Sequence, residues 1–394
     1  MKRKLFLCLI IFSVVTVNFS QELQFTGYFE NQFFPQRLNN EWILQDYNKL
    51  RLDLSADISE NVTFNGNYNY RVYHGATTFS ALDFLPDQLV NEYQKTMNIP
   101  QAILNPLFEF KQEDEYFLDN AYVSIYSKRV NIRIGKQQLP WGSGYSWNPT
   151  DIFNEKNLLD PTYEKVGVNA FKVEIPFMTE GMLTGIIGVE DKWKTSTKGI
   201  KLKQHLSGFD LSFSFVEKHQ SSFDYYSLQQ CSEKRRLLGG DFSGQLFGLG
   251  IWGEGAYNRM ELSDNYGQYL VGSDYTFESG LYLTGEYYHN GLGRTNKENY
   301  TFGDWMRLMS SQGENLGQNY IFAGGSYPIT ELWNWSNFLL FNFDDKSGLI
   351  FPWFSYSLND NTEVLFVGYL PFGSAKSEFG EFGAGGFARI RVYF

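Results

Sequence analysis

The sequence predicts an all-β fold, a single closed antiparallel barrel of about 18 strands, with about 16 as the alternative count. Three observations predict it. Apolar and polar residues alternate along many segments. The links between these segments alternate between short and long. Glycine and aromatic residues are abundant, with 37 Gly, 26 Tyr and 36 Phe among 394 residues. Because the side chains of a strand point alternately to its two faces, each such segment has one apolar and one polar face.

Composition excludes several other classes of protein. Hydrophobic residues make up 43% and charged residues 20% of the chain, which is too apolar for a disordered protein. A net charge of -11 argues against a nucleic-acid binder, which needs cations facing phosphates. Two cysteines cannot build a disulfide scaffold or a cysteine-type zinc site. The mean hydropathy of -0.34 excludes a bundle of apolar membrane helices.

The first residues have the pattern of a secretory signal. Three cations at positions 2–4 precede an apolar run over 5–17, and small polar Ser20 follows. The run is shorter than the roughly 20 residues that a membrane anchor, the alternative, would need. We therefore expect a cleaved signal peptide over 1–20 and one domain, the transmembrane barrel, over 21–394.

Two segments show the strand pattern most clearly. From Leu50 to Ile58 every second residue is apolar, and Val62 to Val72 repeats the pattern with one gap at Gly66. Most such segments exceed the usual five or six residues of soluble strands and approach the roughly nine to eleven that cross a bilayer. Others begin near Leu23, Phe117, Val130, Gly167, Met182, Lys198, Phe209, Arg236, Phe247, Gln268, Leu281, Asn319, Leu332, Leu349, Thr362 and Glu381.

The links between the predicted strands follow a parity rule. Counting strands from Leu23, links after even strands are short and links after odd strands are usually long. Short turns at one end and long loops at the other are typical of an outer-membrane barrel, which closes because an open edge would leave backbone groups unpaired in lipid. The short links are 59–61, 127–129, 207–208, 278–280 and 359–361, and the longer ones include 75–114, 140–164, 218–235 and 291–318.

The end of the chain carries a separate signal. Ala388, Ile390, Val392 and Phe394 alternate with polar or aromatic residues, and Phe394 is the last residue. This pattern resembles the closing strand of bacterial outer-membrane barrels, whose terminal aromatic residue is bound by the barrel-assembly machinery. The alternative is a soluble edge strand. The resemblance implies a bacterial outer-membrane location, with membrane lipid and lipopolysaccharide as the surroundings.

A second motif lies over residues 135–154. The run Gly-Lys-Gln at 135–137, Trp141-Gly142 and Asn148-Pro-Thr-Asp-Ile-Phe-Asn resembles the GRQ…WG…NPTD.FN stretch of porin-like outer-membrane barrels whose substrate is unassigned. Lys136 departs from it, since arginine is expected there. The resemblance implies a loop that folds inward and narrows the pore; a loop that only braces the wall is the alternative. The candidate constriction residues are Trp141, Asn148, Asp151 and Asn154.

The first long loop, 75–114, contains two partly apolar stretches, 84–93 and 99–104, that predict short helices. Apolar residues on a loop favour packing inside the lumen. An external cap is an equal alternative.

Charge placement predicts two opposed walls of the lumen, if the polar face of each strand points inward. Strand closure brings the first, second, third and last strands together, so their cations form one basic wall. Such fields orient charged and dipolar solutes, although interior salt bridges without selectivity are the alternative. The basic wall comprises Lys49, Arg51, Arg71, Arg389 and Arg391, and the acidic wall comprises Asp210, Asp241, Glu254, Asp274 and Glu286.

These features favour a porin-like channel for passive diffusion of small polar or charged solutes. The alternatives are a hydrophobic-substrate transporter and an adhesin or envelope-assembly barrel. We expect no enzyme, because His74, His205, His219 and His289 show no catalytic spacing to a nucleophile. We expect no cofactor, metal or nucleic acid, since 344–345 and 359–361 predict turns. A homo-oligomer stays open.

Overall fold

The computed structural model describes residues 23–38, 41–154, 166–310 and 315–394. Eighteen antiparallel strands form one sheet, which closes where β1 (Leu23–Leu38) pairs with β20 (Gly385–Tyr393). The last residue takes part in closure, because the backbone N–H groups of Phe394 and Gly27 each donate to the other's carbonyl at 3.0 Å. The predicted all-β barrel is therefore confirmed, with the predicted 18 strands and not the alternative count of 16. The predicted signal peptide lies outside the described residues.

The other barrel strands are β2 (Glu41–Ser59), β3 (Val62–Gly75), β6 (Glu115–Tyr126), β7 (Asn131–Gln137), β8 (Val168–Phe177), β9 (Gly181–Gly188), β10 (Lys198–Leu206), β11 (Phe209–Asp224), β12 (Gln229–Leu246), β13 (Leu249–Met260), β14 (Tyr266–Thr276), β15 (Tyr282–Asn290), β16 (Asn319–Pro328), β17 (Trp333–Asn342), β18 (Ser347–Asn359) and β19 (Thr362–Phe372). Outside the barrel, β4 (Thr78–Ser80) pairs with β5 (Glu109–Lys111).

The helices all lie in two long loops. Helices α1 (Asp87–Met97) and α2 (Gln101–Leu107) belong to the loop between β3 and β6, close to the two predicted helical stretches. Helix α3 (Phe302–Met309) lies between β15 and β16, and single 3-10 turns form over Ala81–Phe84 and Lys297–Asn299. Within the described ranges, none of these helices has the length and apolarity that a membrane crossing requires.

The structure follows the parity rule with one correction. Residues 218–235 are not a loop. Strands β11 and β12 continue as a ladder from Lys218 opposite Arg235 to Asp224 opposite Gln229, which leaves a turn of only 225–228. The prediction was wrong because these residues are polar on both faces, so no alternation marks them. Cross-strand pairing holds the two strands together although neither carries a regular apolar stripe here.

The alternation places exposed apolar residues on one face of the sheet and buried residues on the other. Along β1, Phe25, Phe29 and Phe33 are 58%, 45% and 41% exposed, whereas Glu30 is 1% exposed. The register carries these faces from strand to strand, since Glu30 lies opposite Lys49, and Lys49 lies opposite Arg71. The buried face is polar around β1 to β3 and includes apolar clusters on later strands. An apolar outer surface is what a barrel in lipid requires.

Candidate functional site

The loop between β7 and β8, which we call the β7–β8 loop (residues 138–154), leaves the sheet next to a strained glycine. Gly135 has a φ of +123°, and a Cβ there would lie 2.3 Å from the carbonyl oxygen of Ala121 on the neighbouring strand. Two residues on, Gln137 is fully buried and its amide donates to the carbonyl of Ala170 on β8 at 2.9 Å. The Gly and Gln of the motif are thus explained by local strand geometry.

Glu254 of β13 binds the middle of this loop. Its carboxylate accepts hydrogen bonds from the backbone N–H of Ser143 at 2.8 Å, from that of Gly144 at 3.1 Å, and from both the N–H and the hydroxyl of Thr150. The approach depends on glycine: Gly142 has a φ of +91°, and a Cβ there would lie 2.6 Å from a carboxylate oxygen of Glu254. Hydrogen bonds to an ionised acceptor are among the stronger ones in proteins.

Glu286 of β15 binds the next residues of the loop. The backbone N–H groups of Tyr145, Ser146 and Trp147 donate to it at 2.6, 2.8 and 3.1 Å, and the indole of Trp252 donates at 2.6 Å. Both carboxylates are buried. Glu254 and Glu286, predicted as part of an acidic wall, therefore have their oxygens hydrogen-bonded to the β7–β8 loop.

The start and end of the β7–β8 loop pack against the sheet. Leu139 and Trp141 form a cluster with the buried residues Ala170, Ile186, Val216, Leu237 and Ala256, which lie on β8, β9, β11, β12 and β13. Trp141 also contacts Phe153, with ring centroids 5.2 Å apart, and Lys201 Nζ lies 5.4 Å from its ring. The loop therefore lies along the face that carries the buried residues of these strands.

The other predicted loop residues form a local turn. Asp151 Oδ1 accepts from the backbone N–H groups of Phe153 and Asn154 at 3.0 Å, and Asn154 Nδ2 donates to Asp151 as well. An aspartate that binds the backbone two residues on is a common turn-former. Asn148 differs, since its Oδ1 is buried without a hydrogen-bond partner among the described residues.

The remaining acidic residues are interleaved with cations and hydroxyls. Asp241 lies 3.2 Å from Lys201 Nζ. Asp210, close to a short turn, contacts Lys203 at 2.7 Å and His205 at 2.8 Å. Asp274 accepts from the hydroxyl of Tyr282 at 3.0 Å. The set does not form a purely acidic surface.

The five predicted cations of the basic wall lie on β20, β2 and β3, around β1. Glu30 lies among them, within 2.7 Å of Arg391 Nε and 3.8 Å of Arg389 Nε. Lys49 donates to the hydroxyl of Tyr28 at 2.8 Å. Two further partners of these cations lie on β6, and the sequence analysis missed both.

These partners are Asp119, which binds Arg51, and Glu115, which binds Arg71 at 2.8 Å. The ladder between β3 and β6 shifts by one residue between Asn67 and Tyr68. Asn120 and Leu118 therefore each lie opposite a residue of β3, whereas Asp119 lies opposite none. Simple alternation from Phe117 therefore gave no signal for Asp119, because a bulge changes which side chain faces its neighbours. Five cations thus lie close to at least four carboxylates once Asp53 is counted.

Three loops join in a separate apolar cluster, which we call the cap (residues 81–108, 225–226 and 300–309). Tyr93 of α1 stacks on Phe302 of α3 with ring centroids 3.9 Å apart, and its hydroxyl donates to the carbonyl of Tyr225 at 2.6 Å. Tyr225 lies in the turn of the long β11–β12 hairpin. The loop 75–114, for which the sequence left two places open, therefore packs at the hairpin tip as part of a cap.

A cavity of about 640 Å³ lies between the β7–β8 loop and the cap. Its lining includes Trp147 and Asn148 from the loop and Trp305 from α3. Lys218 and Arg235, from the hairpin that the sequence predicted as a loop, also line it. The cavity size is within the common range for sites that bind small molecules.

One wall of this cavity is a hydrogen-bonded network that links separate loops. The Trp147 indole donates to Asn315 at 2.9 Å, and Asn315 donates to Glu378 at 3.1 Å. Glu378, from the loop after β19, also accepts from Asn342 at 2.8 Å, and its backbone N–H donates to Asp345 at 2.7 Å. The network joins positions far apart in the sequence, and no motif indicated it.

Glu378 is fully buried in this network, without a cation among the partners given above. Burial raises the pKa of its carboxyl to about 7, and the charge of Asp345 acts in the same direction. Hydrogen bonds from Tyr320, Asn315 and Asn342 oppose the rise in pKa. The group therefore changes charge near neutral pH.

Comparisons with known proteins identify the fold. The chain is similar to Acinetobacter baumannii OccAB1, with a TM-score of 0.60 and 7% identity over 94% of this chain and 96% of that chain. It is also similar to OccAB4 of the same organism, with a TM-score of 0.53 and 9% identity over 95% of this chain and 98% of that chain. No protein-family model matches the sequence, and no curated protein does.

The likeness at these identities is one of fold. Together with the closed sheet of 18 strands and its apolar outer surface, it makes the chain a porin-like β-barrel of the bacterial outer membrane. The predicted class and location are thereby confirmed.

Proposed function

We propose that the protein is an outer-membrane channel for passive diffusion of small polar or charged solutes, and that the β7–β8 loop narrows its lumen. One observation carries the proposal: six backbone N–H groups of this loop donate to Glu254 and Glu286, two side chains on the buried face of the sheet. Such a face encloses the interior once a sheet closes, so a loop bound to it occupies the lumen.

The distance round the sheet supports this reading. Strands β13 and β15 lie five and seven strands away from β8, where the loop ends. A loop that only braced its own hairpin would not reach them. A barrel of this size leaves an aqueous lumen unless segments fold into it.

The charged residues are proposed to line this lumen as the sequence suggested, but with weak net selectivity. Five cations of the basic wall are balanced by Glu30, Asp53, Asp119 and Glu115. Two predicted acidic residues, Glu254 and Glu286, have their carboxylates hydrogen-bonded to the loop. Opposed walls that are largely compensated orient solutes less strongly than free charges would.

A catalytic role is not proposed. His74 is hydrogen-bonded to Asn48 at 3.1 Å and His289 to Asn319 at 3.0 Å. His205 contacts Asp210 beside a two-residue turn, where Lys203 binds the same carboxylate. These contacts suit ordinary polar residues of a barrel.

One observation favours the second candidate, a transporter of hydrophobic substrates. An apolar groove of about 440 Å³ lies along the wall at β18, β19, β20 and β1. Its lining combines exposed Phe354 and Phe366 with buried Val367 and Phe387, beside Gly368. This candidate predicts lateral exit of an apolar solute through the wall.

The deciding experiment is single-channel conductance of the refolded protein in a planar bilayer under a salt gradient. The channel proposal predicts stable open steps with modest ion preference. A folded, heat-modifiable barrel that gives no steps would contradict it and favour the hydrophobic transporter, whose uptake of an apolar dye into liposomes is then the readout.

A further inference from the structure

We propose that the cavity between the β7–β8 loop and the cap binds a neutral, polyhydroxylated solute of about disaccharide size. This inference rests on the proposed channel, because the cavity lies on the route that the loop would narrow. It concerns which solute the channel accepts.

The first step is that the charged side chains lining the cavity already have hydrogen-bond partners within the protein. Its described Asp, Glu, Lys and Arg residues are Asp151, Glu378, Lys218 and Arg235. Lys218 donates to the carbonyl of Ile152 at 2.8 Å, and Arg235 donates to Asn258 at 2.8 Å. Asp151 and Glu378 accept the hydrogen bonds described above. A charged solute would have to compete with these contacts.

The second step is that other polar groups of the same lining lack partners. Ser146 Oγ, Asn148 Oδ1, Asn154 Oδ1, His219 Nε2 and Trp305 Nε1 are buried and have no hydrogen-bond partner among the described residues. Ser146 and Trp305 are 2% and 1% exposed. A buried polar atom without a partner costs free energy, so these atoms indicate a bound solute or water.

The third step concerns the kind of solute. The Asn148 and Asn154 oxygens accept hydrogen bonds, the Ser146 hydroxyl both donates and accepts, the Trp305 indole N–H only donates, and His219 Nε2 does either according to its tautomer. The oxygens belong to the β7–β8 loop, the indole to the cap and the imidazole to the β11–β12 hairpin, so the solute must offer both donors and acceptors. Hydroxyl groups do both. A solute with many hydroxyl groups therefore matches this mixed set.

The fourth step concerns shape. The cavity also contains the rings of Trp147, Tyr288 and Phe379, and Trp147 stacks on Tyr288 with centroids 4.8 Å apart. Flat apolar surfaces bury the C–H faces of a sugar ring while its hydroxyls reach the polar atoms. A small carbohydrate combines both kinds of surface in one molecule.

The test uses the full-length refolded protein with lactose as the neutral probe and lactobionate, an anion of similar size, as its charged counterpart. Calorimetry should show lactose binding at least about tenfold tighter than lactobionate. Asn148→Leu and Trp305→Phe should each weaken lactose binding about threefold to tenfold, the range expected from loss of one hydrogen bond. Trp193→Phe, the same change at an indole that is 68% exposed, is the matched control.

The outcomes separate the two proposals because conductance is measured on the same preparation. Open channels without lactose binding would overturn the carbohydrate inference and leave the channel. Lactose binding without open channels would overturn the channel and leave the site. Equal or tighter binding of lactobionate would overturn the neutral class, and heat-modifiability of each variant shows that it has folded.

Discussion

Buried carboxylates are held in two different ways on two sides of this barrel. Near the closing seam, Glu30 is surrounded by arginine side chains from the last strand. On β13 and β15, Glu254 and Glu286 are surrounded by backbone N–H groups of a loop. The first arrangement joins strand to strand at the closing seam, whereas the second attaches a separate segment to two strands through their buried side chains. We infer that the first sets stability and the second sets pore size.

The largest expected effect is at the seam. Arg391→Met leaves the buried Glu30 carboxylate without its nearest cation, and loss of one member of a buried ion pair costs about 3–5 kcal/mol. Urea unfolding in detergent should show this loss of stability. The double variant Glu30→Gln with Arg391→Met should recover much of it, and equal stability of wild type and Arg391→Met would contradict the role given to the pair.

Substitutions at Glu254 and Glu286 should change the single-channel conductance more than the free energy of unfolding. Glu254→Gln with Glu286→Gln replaces acceptor-only groups by amides whose NH₂ would face backbone N–H donors, so the β7–β8 loop should detach. Single-channel conductance should rise about twofold or more, while the unfolding midpoint changes little. The control is Asp274→Asn, which alters a nearby carboxylate with no described bond to the loop. An unchanged conductance in the double variant would contradict the proposal that the loop narrows the pore.

The cap offers a third case, a buried carboxylate held by neutral groups. Because the folded-state pKa of Glu378 is raised from 4.5 to about 7, the folded loops bind its proton more tightly than the unfolded chain does. The contribution of Glu378 to their stability is complete below about pH 4.5 and is lost as pH rises through about 7. Protection factors for amide hydrogen exchange over 315–318 and 373–384, which correct for the intrinsic rise of exchange with pH, should therefore be lower at pH 8 than at pH 5.

The control for this pH effect is Glu378→Gln, which keeps the shape of the neutral acid. Protection factors in this variant should lose the difference between pH 5 and pH 8 that arises from Glu378. A difference of the same size in both proteins would assign the titration to another group.

The smallest expected effect is a labelling difference that shows which end of the barrel faces the outside of the cell. Cys231 is exposed and pairs with Ser222 close to the β11–β12 turn. On intact cells, a membrane-impermeant maleimide should label it. Glu60→Cys in a Cys231→Ser background places the thiol in a short turn at the other end and should stay unlabelled. The reverse pattern would invert the barrel and place the cap on the periplasmic side.

The sequence analysis succeeded where structure repeats locally and failed where it does not. Lys49, Arg51 and Arg391 lie on neighbouring strands at the seam, a placement that follows from strand closure and alternation alone. The hairpin over 218–235 was missed, since its mainly polar residues give no apolar alternation. Asp119 was missed because a bulge displaced it.

The sequence by itself determined the barrel. The period of two in each strand, and with it the face of each residue, depends on residues only a few positions apart, and the parity of the links follows from where the strands begin and end. What only the tertiary structure decided is the use of the interior. Ser143 and Glu254 meet although they are 111 positions apart, and Trp147 and Asn315 meet across 168. Such contacts depend on how a loop folds into a closed sheet. The sequence of one segment shows which of its groups can donate or accept hydrogen bonds. It does not specify the distant residues to which those groups bind.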